Sequence, residues 1–238
     1  MHIELSNQRV LVTAGAQGIG LAIAQAFVTA GSQVHICDVN AEFLATAKAL
    51  LPGVSQTLCD VSHEDQVQAM FQELGQRWGG LDALINNAGI AGPTAKLEDT
   101  SLAQWNETIA VNLTGQFLCA RAAVPLLKAA GGGSIVNMSS AAGRLGFPLR
   151  TPYSASKFGV IGLTASWAME LGPSHIRVNS ILPGIVAGDR QERVIAAKAA
   201  SYGLEHEAMR ERLLSKVSLR SMVSAQDIAQ QILFVCSP

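Results

Sequence analysis

Along the chain, short runs of apolar and β-branched residues alternate with longer stretches in which apolar residues recur every three or four positions. RVLVT (9–13), QVHIC (33–37), VSQTL (54–58), ALIN (83–86), SIVNM (134–138) and IRVNSI (176–181) predict strands. Between them the helical period predicts helices near 18–30, 40–50, 63–78, 101–129 and 152–171. Strand, helix, strand in repetition implies parallel strands joined by right-handed crossovers, the hand that packs the connecting helix back onto the sheet. The expected fold class is α/β, a doubly wound parallel sheet flanked by helices on both faces, as one domain over residues 1–238. Ligands in such sheets gather at the carboxyl ends of the strands. Two segments interrupt the alternation, GRLGFPLRTP (143–152) and the charged stretch from DRQERVIAAK onward (189 to about 219). The second follows a strand end and contains helical stretches, which suits a substrate lid and a solvated helical hairpin equally.

Composition narrows the function classes. With 49% apolar residues, few aromatics and 22 glycines among 238 residues, the chain suits one sizeable core in which small residues let helices approach a sheet. A formal net charge of −1, without a run of like charges, leaves no basic footprint for nucleic acid. Cys37, Cys59, Cys119 and Cys236 are far apart in sequence and form no CxxC or Cys/His cluster. They are expected to be reduced core thiols in a reducing compartment, with no metal centre. MHIELSNQRV lacks the apolar stretch of a signal peptide, and no run approaches the ~18 residues that cross a membrane. The expected setting is the cytoplasm, with no membrane partner.

The first strand runs into VLVTAGAQGIGLAIAQAF, which places Gly15, Gly18 and Gly20 between a strand and an alanine-rich helix. Glycine there permits a tight turn and lets a diphosphate approach the backbone amides and the positive end of the helix. A turn chosen for packing alone would use the same residues. Asp38 ends the second strand, where a carboxylate accepts hydrogen bonds from adenosine ribose hydroxyls and repels a 2′-phosphate. No arginine or lysine in the glycine turn or directly after Asp38 offers such a phosphate a counterion, so a Rossmann-type site for NAD is favoured over one for NADP. The other reading makes Asp38 a solvated acid at a helix start capped by Asn40.

TPYSASKFGV (151–160) sets Tyr153 and Lys157 four residues apart, neighbours on one face if the segment is helical. An ammonium beside a phenol favours the phenolate, which brings a proton normally lost near pH ~10 into useful range. With the glycine turn, NNAG (86–89), VNLTG (111–115), NMSS (137–140), YSASK (153–157) and LPG (182–184) follow in an order that resembles the short-chain dehydrogenase/reductase family over nearly the whole chain. The resemblance implies a nicotinamide coenzyme lying across the sheet and hydride passing between its ring and a carbonyl or secondary alcohol. It makes Tyr153 the general acid/base and Lys157 the residue that lowers its pKa and holds the nicotinamide ribose. Ser140 would hydrogen-bond the substrate oxygen, and Asn112 would support a water linking Lys157 to solvent. Coenzyme contacts follow by the same likeness. Gly15, Gln17, Gly18, Ile19 and Gly20 belong to the turn, Asp38 to the ribose, and Asp60 with Val61 to the adenine. Asn87, Ala88 and Gly89 would line the adenine pocket, and Pro183, Gly184 and Ile185 would lie by the nicotinamide. NNAG also suits a strand-end turn that ties the sheet together.

The chain departs from the family pattern in three places. Ala14 stands where glycine is usual, which a negative φ would tolerate with a small local shift. Gly188 replaces a threonine whose hydroxyl helps fix the carboxamide, leaving that task to backbone groups or to Asp189 and Arg190. IAQQILFVCSP stops in helical sequence where relatives continue into a glycine-containing turn and a seventh strand, a strand expected to be omitted or disordered.

The expected activity is NAD-dependent, reversible oxidation of a secondary alcohol, with a small polyol, sugar or hydroxy acid as substrate. Arg144 and Arg150 in the loop, and Arg190 and Arg193 in the lid segment, are candidates to pair with a carboxylate, sulfonate or phosphate, or else are surface or subunit-interface residues. One alternative is NADPH-dependent reduction of a ketone or 3-oxoacyl thioester, which Asp38 opposes. Another is a non-catalytic dinucleotide-binding regulator, which the intact Asn112, Ser140, Tyr153 and Lys157 set opposes. Small-residue stretches at 116–126 and 154–169 correspond to the helices that pair in tetrameric relatives, so a homotetramer is expected.

Overall fold

The computed structural model describes residues 3–237. Met1, His2 and Pro238, which the expected domain span includes, lie outside the described residues. The strands are β1 (Arg9–Thr13), β2 (Gln33–Asp38), β3 (Ser55–Leu58), β4 (Ala83–Asn86), β5 (Gly133–Met138) and β6 (Ile176–Ile181). They form one sheet of order β3-β2-β1-β4-β5-β6, and every pairing is parallel. The order reverses between β1 and β4, so the crossovers leave in opposite directions there and open a crevice at the carboxyl ends. The expected doubly wound α/β fold is the one observed.

Strand alternation explains the two cores. Val10 and Val12 join Phe27 and Ile36 on one face, while Leu11 between them joins Met70, Leu74 and Leu127 on the other. The first face is covered by α1 (Gly18–Thr29), α2 (Ala41–Leu50) and α9 (Ala225–Cys236). The second is covered by α3 (Glu64–Trp78), α5 (Gly115–Ala129) and α6 (Thr151–Leu171). All four cysteines are free and buried, as expected. Distance in sequence hides that Cys37, Cys59 and Cys119 share one core. Burial pushes the Cys119 thiol up and that of Cys236 to about 12, which leaves both inert.

The helix predicted over 101–129 is divided. A capping box of Ser101 and Gln104 starts α4 (Leu102–Ile109), a π-helical turn covers Ala110–Thr114, and α5 follows. The wider turn lets the amide of Asn112 face the main chain of Ile90, whose N–H donates to Oδ1 at 2.7 Å and whose carbonyl accepts from Nδ2 at 3.1 Å. By length and composition, Leu102–Ala129 is long and apolar enough to cross a membrane, contrary to the expectation from uninterrupted apolar runs. Glu107, Arg121 and Lys128 punctuate it, which is why a search for such runs passes it over. Its Leu118, Cys119, Ala123 and Leu127 are buried against the sheet.

Beyond β6 the charged segment forms two helices, α7 (Asp189–Tyr202) and α8 (His206–Leu214), with a small core of Ile195, Ala199 and Met209. Glu192 joins them by pairing with Arg210 at 2.9 Å and His206 at 3.3 Å. The excursion is clasped at its base, where Val223 N donates to Ile185 O and Ala187 N to Val223 O, both at 2.9 Å.

Asp82 ties the starts of β1 and β4 together. It accepts the Arg9 backbone N–H at 2.8 Å and two guanidinium bonds at 2.7 and 2.8 Å. Burial alone would raise this carboxyl, but the hydrogen bonds and charge of Arg9 hold it below its ordinary value. A depressed carboxyl contributes stability above its unfolded pKa near ~4, and loses it as pH falls through the folded value. Asp82→Asn should therefore cost about 2 kcal/mol at pH 7 and progressively less below pH ~4 in urea denaturation. A pH-independent difference would contradict this role.

Candidate active site

The glycine turn is held by close approach. Gly15 N donates to Cys37 O at 3.0 Å, and a Cβ on Gly15 would stand 2.7 Å from Ile36 Cβ. A Cβ on Gly20 would overlap Ala14 O and lie 2.7 Å from Asn87 Nδ2. Gly18 needs glycine for a different reason, since its φ is +53° and the space beside it is open. Ala14 does not have the expected negative φ. It sits at +49°, a conformation costing an alanine about 1 kcal/mol. The neighbours impose it, because Asn87 Nδ2 donates to both Thr13 O at 3.0 Å and Ala14 O at 3.1 Å. NNAG thus does tie the sheet together. Thr13 Oγ1 completes the tie by accepting the N–H groups of Asn87 and Ala88 at 3.0 and 2.9 Å.

This turn fits a dinucleotide. Gln17 precedes α1 without capping it, so no side chain occupies the helix N–H groups that attract a diphosphate. Asp38 is buried, and it is Asn40 that caps α2 by accepting from Glu42 N and Phe43 N. The carboxylate of Asp38 accepts Ala16 N at 3.4 Å and Asn40 N at 3.1 Å, with acceptor capacity left over at the mouth of the turn. Asp60 is engaged nearby by Ser62, whose N–H and hydroxyl donate at 2.9 and 2.7 Å, while Val61 is buried. Pro183 O accepts from Ala141 N at 2.9 Å, which joins the LPG turn to the loop after β5. Gly188 has φ +135°, so glycine there answers a backbone requirement that threonine could not meet.

The reactive end is assembled by α6. Thr151–Leu171 is helical as predicted, and Lys157 lies with its Nζ 5.6 Å from the Tyr153 ring centroid. The ammonium is fully buried and donates to Met138 O at 2.7 Å. Burial, then the charge of Arg190, push Lys157 down to about 7. Asn112 Nδ2 also donates to Ser156 Oγ at 3.2 Å, so the π turn braces both α6 and Ile90. Ser140 Oγ accepts from Ala142 N at 3.2 Å, and Ser139 Oγ donates to Lys157 O at 2.8 Å. A Cβ on Gly143 would come within 2.7 Å of Lys157 O, which explains a glycine in that loop.

The four candidate arginines separate. Arg150 is buried, with its Cζ 4.9 Å from the Tyr153 ring centroid and an Nη2 bond to Ala91 O at 2.6 Å. Arg190, at the start of α7, bonds Gly89 O at 3.1 Å with its Cζ 5.9 Å from the same ring. Arg144 and Arg193 are exposed and, among the described residues, form no ion pair. Lys198 escaped the sequence reading. It is buried, with Nζ 4.2 Å over the Phe147 ring, and burial followed by the charges of Arg150 and Lys216 push it down to about 8. Its sequence signal was its place among Ile195 and Ala199 on the inward face of a helix.

A family model described as short chain dehydrogenase matches residues 8–201. "Probable galactose dehydrogenase GalD" from Rhizobium meliloti (strain 1021) is 36% identical over 239 residues, covering 98% of this chain and 90% of its own length. Among solved structures, NAD+-bound xylitol dehydrogenase superposes with a TM-score of 0.94 at 29% identity, covering 98% of this chain and 93% of its own. Actinorhodin polyketide ketoreductase with NADPH superposes with a TM-score of 0.91 at 29% identity, covering 98% and 91%.

The two kinds of glycine in the turn should respond differently to a methyl group. Gly20→Ala must displace Ala14 or Asn87, and should weaken dinucleotide binding at least about tenfold by calorimetry and lower the melting temperature. Gly18→Ala meets no neighbour and should cost only the left-handed backbone, about 1 kcal/mol. Equal effects would contradict this account of the turn.

Proposed function

The chain belongs to the short-chain dehydrogenase/reductase family, and from that premise we propose that it oxidises a secondary alcohol reversibly to a ketone with NAD, using Tyr153 as the proton acceptor. It is an oxidoreductase of a family that works with nicotinamide dinucleotides. The observation that carries the reaction is the Lys157 ammonium 5.6 Å from the Tyr153 ring, buried at the carboxyl end of β5. NAD is supported by the buried Asp38 carboxylate beside the glycine turn, because a 2′-phosphate would meet a negative charge there.

When bound, the coenzyme supplies a ring that takes up hydride or gives it back. Ser140 Oγ already accepts one N–H and keeps its own hydroxyl hydrogen for the substrate oxygen. Tyr153 takes the alcohol proton as hydride leaves the carbinol carbon, and Lys157 stabilises the charge left on the phenol oxygen and holds the nicotinamide ribose. Asn112 acts as a positioning residue through Ile90 and Ser156. The remaining coenzyme contacts are assigned to Gly15, Gln17, Gly18, Ile19 and Gly20 in the turn, to Asp60, Val61 and Asn87 to Gly89 at the adenine, and to Pro183, Gly184 and Ile185 at the carboxamide.

The pair α7 and α8 is assigned as a substrate lid on the same domain, supported by the reach of Arg190 from α7 to Gly89 O. A homotetramer in the cytoplasm completes the reading; Phe117 on α5 with Phe158 and Met169 on α6 leave apolar surface exposed for subunit contact. A second reading, ketone reduction with NADPH, is favoured by the likeness to actinorhodin polyketide ketoreductase and opposed by Asp38.

Steady-state rates with secondary alcohols should give a kcat/KM for NAD at least about tenfold above that for NADP. An NADP preference would transfer the proposal to the second reading. Tyr153→Phe should lower turnover by about a thousandfold while NAD affinity by calorimetry stays within a few-fold. Unchanged turnover in that variant would remove Tyr153 from the chemistry.

A further inference from the structure

The surroundings of Tyr153 are unusually cationic for a site that handles neutral alcohols. Its ring has Arg150 Cζ at 4.9 Å, Lys157 Nζ at 5.6 Å and Arg190 Cζ at 5.9 Å. The Phe147 ring, which shares Arg150 with it, has Lys198 Nζ at 4.2 Å and Arg150 Cζ at 6.0 Å. Among the described residues none of these four cations forms an ion pair. Of the two acids on the same helix as Lys198, Glu192 is already taken by Arg210 and His206, and Asp189, at the first helical position, pairs with none of the four among the described residues.

Arg150 and Lys198 are the informative members. Arg150 is only 2% exposed, its Nη2 bonds Ala91 O, and its Nε has no hydrogen-bond partner. Lys198 is 6% exposed. Burying two cations together without an anion is costly, and a guanidinium N–H left unpaired adds to that cost. Burial lowers the pKa of both, which records the same penalty. A fold keeps such an arrangement without loss when a ligand brings the missing charge. Guanidinium and ammonium together suit a compact oxyanion with several acceptor atoms. The loop 143–150 and helix α7, which supply Arg150 and Lys198, meet at the Phe147 ring, and Arg150 reaches from there to Tyr153.

We propose that the substrate is an anionic secondary alcohol whose carboxylate, sulfonate or phosphate group binds between Arg150 and Lys198, a short spacer away from the carbinol handled at Tyr153. Polyols and neutral sugars are then poor substrates, and the lid contributes to substrate choice through Lys198. This rests on the dehydrogenase reading for the carbinol half of the molecule, and on the unpaired cations for the anionic half.

Binding and turnover separate the two. Calorimetry on the full chain saturated with NAD would use 2-, 3- and 4-hydroxy carboxylates, the matching hydroxy sulfonates and phosphate esters, and the neutral amide of each carboxylate. At least one oxyanion series should bind about 30-fold or more tightly than its neutral counterpart. The arm that binds identifies the oxyanion. Arg150→Gln and Lys198→Met, checked for folding by thermal melting, should each abolish most of that preference. Equal affinity for acids and amides in the unmodified protein, or no binding by any anion, overturns the proposal whether or not the variants fold. NADH formation is read in the same samples. Selective anion binding without NADH supports the anion site and contradicts the dehydrogenase reading, whereas NADH formed equally from acids and amides does the reverse.

Discussion

A buried ammonium organises the reactive end of the sheet. Lys157 Nζ donates to Met138 O, the last carbonyl of β5, and the same oxygen accepts Gln116 Nε2 from α5 at 3.2 Å. The main chain of Lys157 is held as well, since its carbonyl accepts from Ser139 just beyond β5. A single residue therefore staples α6 to β5 through both its side chain and its backbone, and Tyr153 is carried one helical turn away. The cost is desolvation. A lysine pushed down to about 7 holds its charge only marginally at neutral pH, so nearby negative charge on a ligand strengthens it and nearby positive charge weakens it.

That sensitivity connects the cleft to α7. Arg190 lowers Lys157 further and spans to Gly89 O, so the start of α7 bears on both the Lys157–Tyr153 pair and the turn after β4. Lys198 lies farther along the same helix with its ammonium over Phe147. Ligand charge entering this region would relieve repulsion among cations from α6 and α7 together.

Much of this was legible in the chain. Period-two and helical patterns identify all six strands, and helices α1, α2, α3 and α6, within a residue or two of their ends, because alternating faces and apolar stripes are local consequences of burial. The glycine turn, Asp38 and the Tyr153–Lys157 spacing were readable for the same reason, each being set by near neighbours in sequence. What escaped depends on distant partners. The π turn at Ala110–Thr114 exists through Asn112 and Ile90, and the left-handed Ala14 through Asn87. Gly188 reads as a lost hydroxyl until its φ of +135° is known. Arg150 looks like a surface charge from its neighbours Leu149 and Thr151, and only the packing of the loop at 91–95 against it shows a buried one.

The charge of Lys157 is the most direct quantity to remove. Replacing it by methionine keeps much of the side-chain volume and removes the charge, and kcat/KM for the preferred secondary alcohol with NAD is the quantity to measure. A fall of at least about a hundredfold is expected, with the sheet intact by circular dichroism. Turnover within a few-fold of the unmodified protein would contradict it.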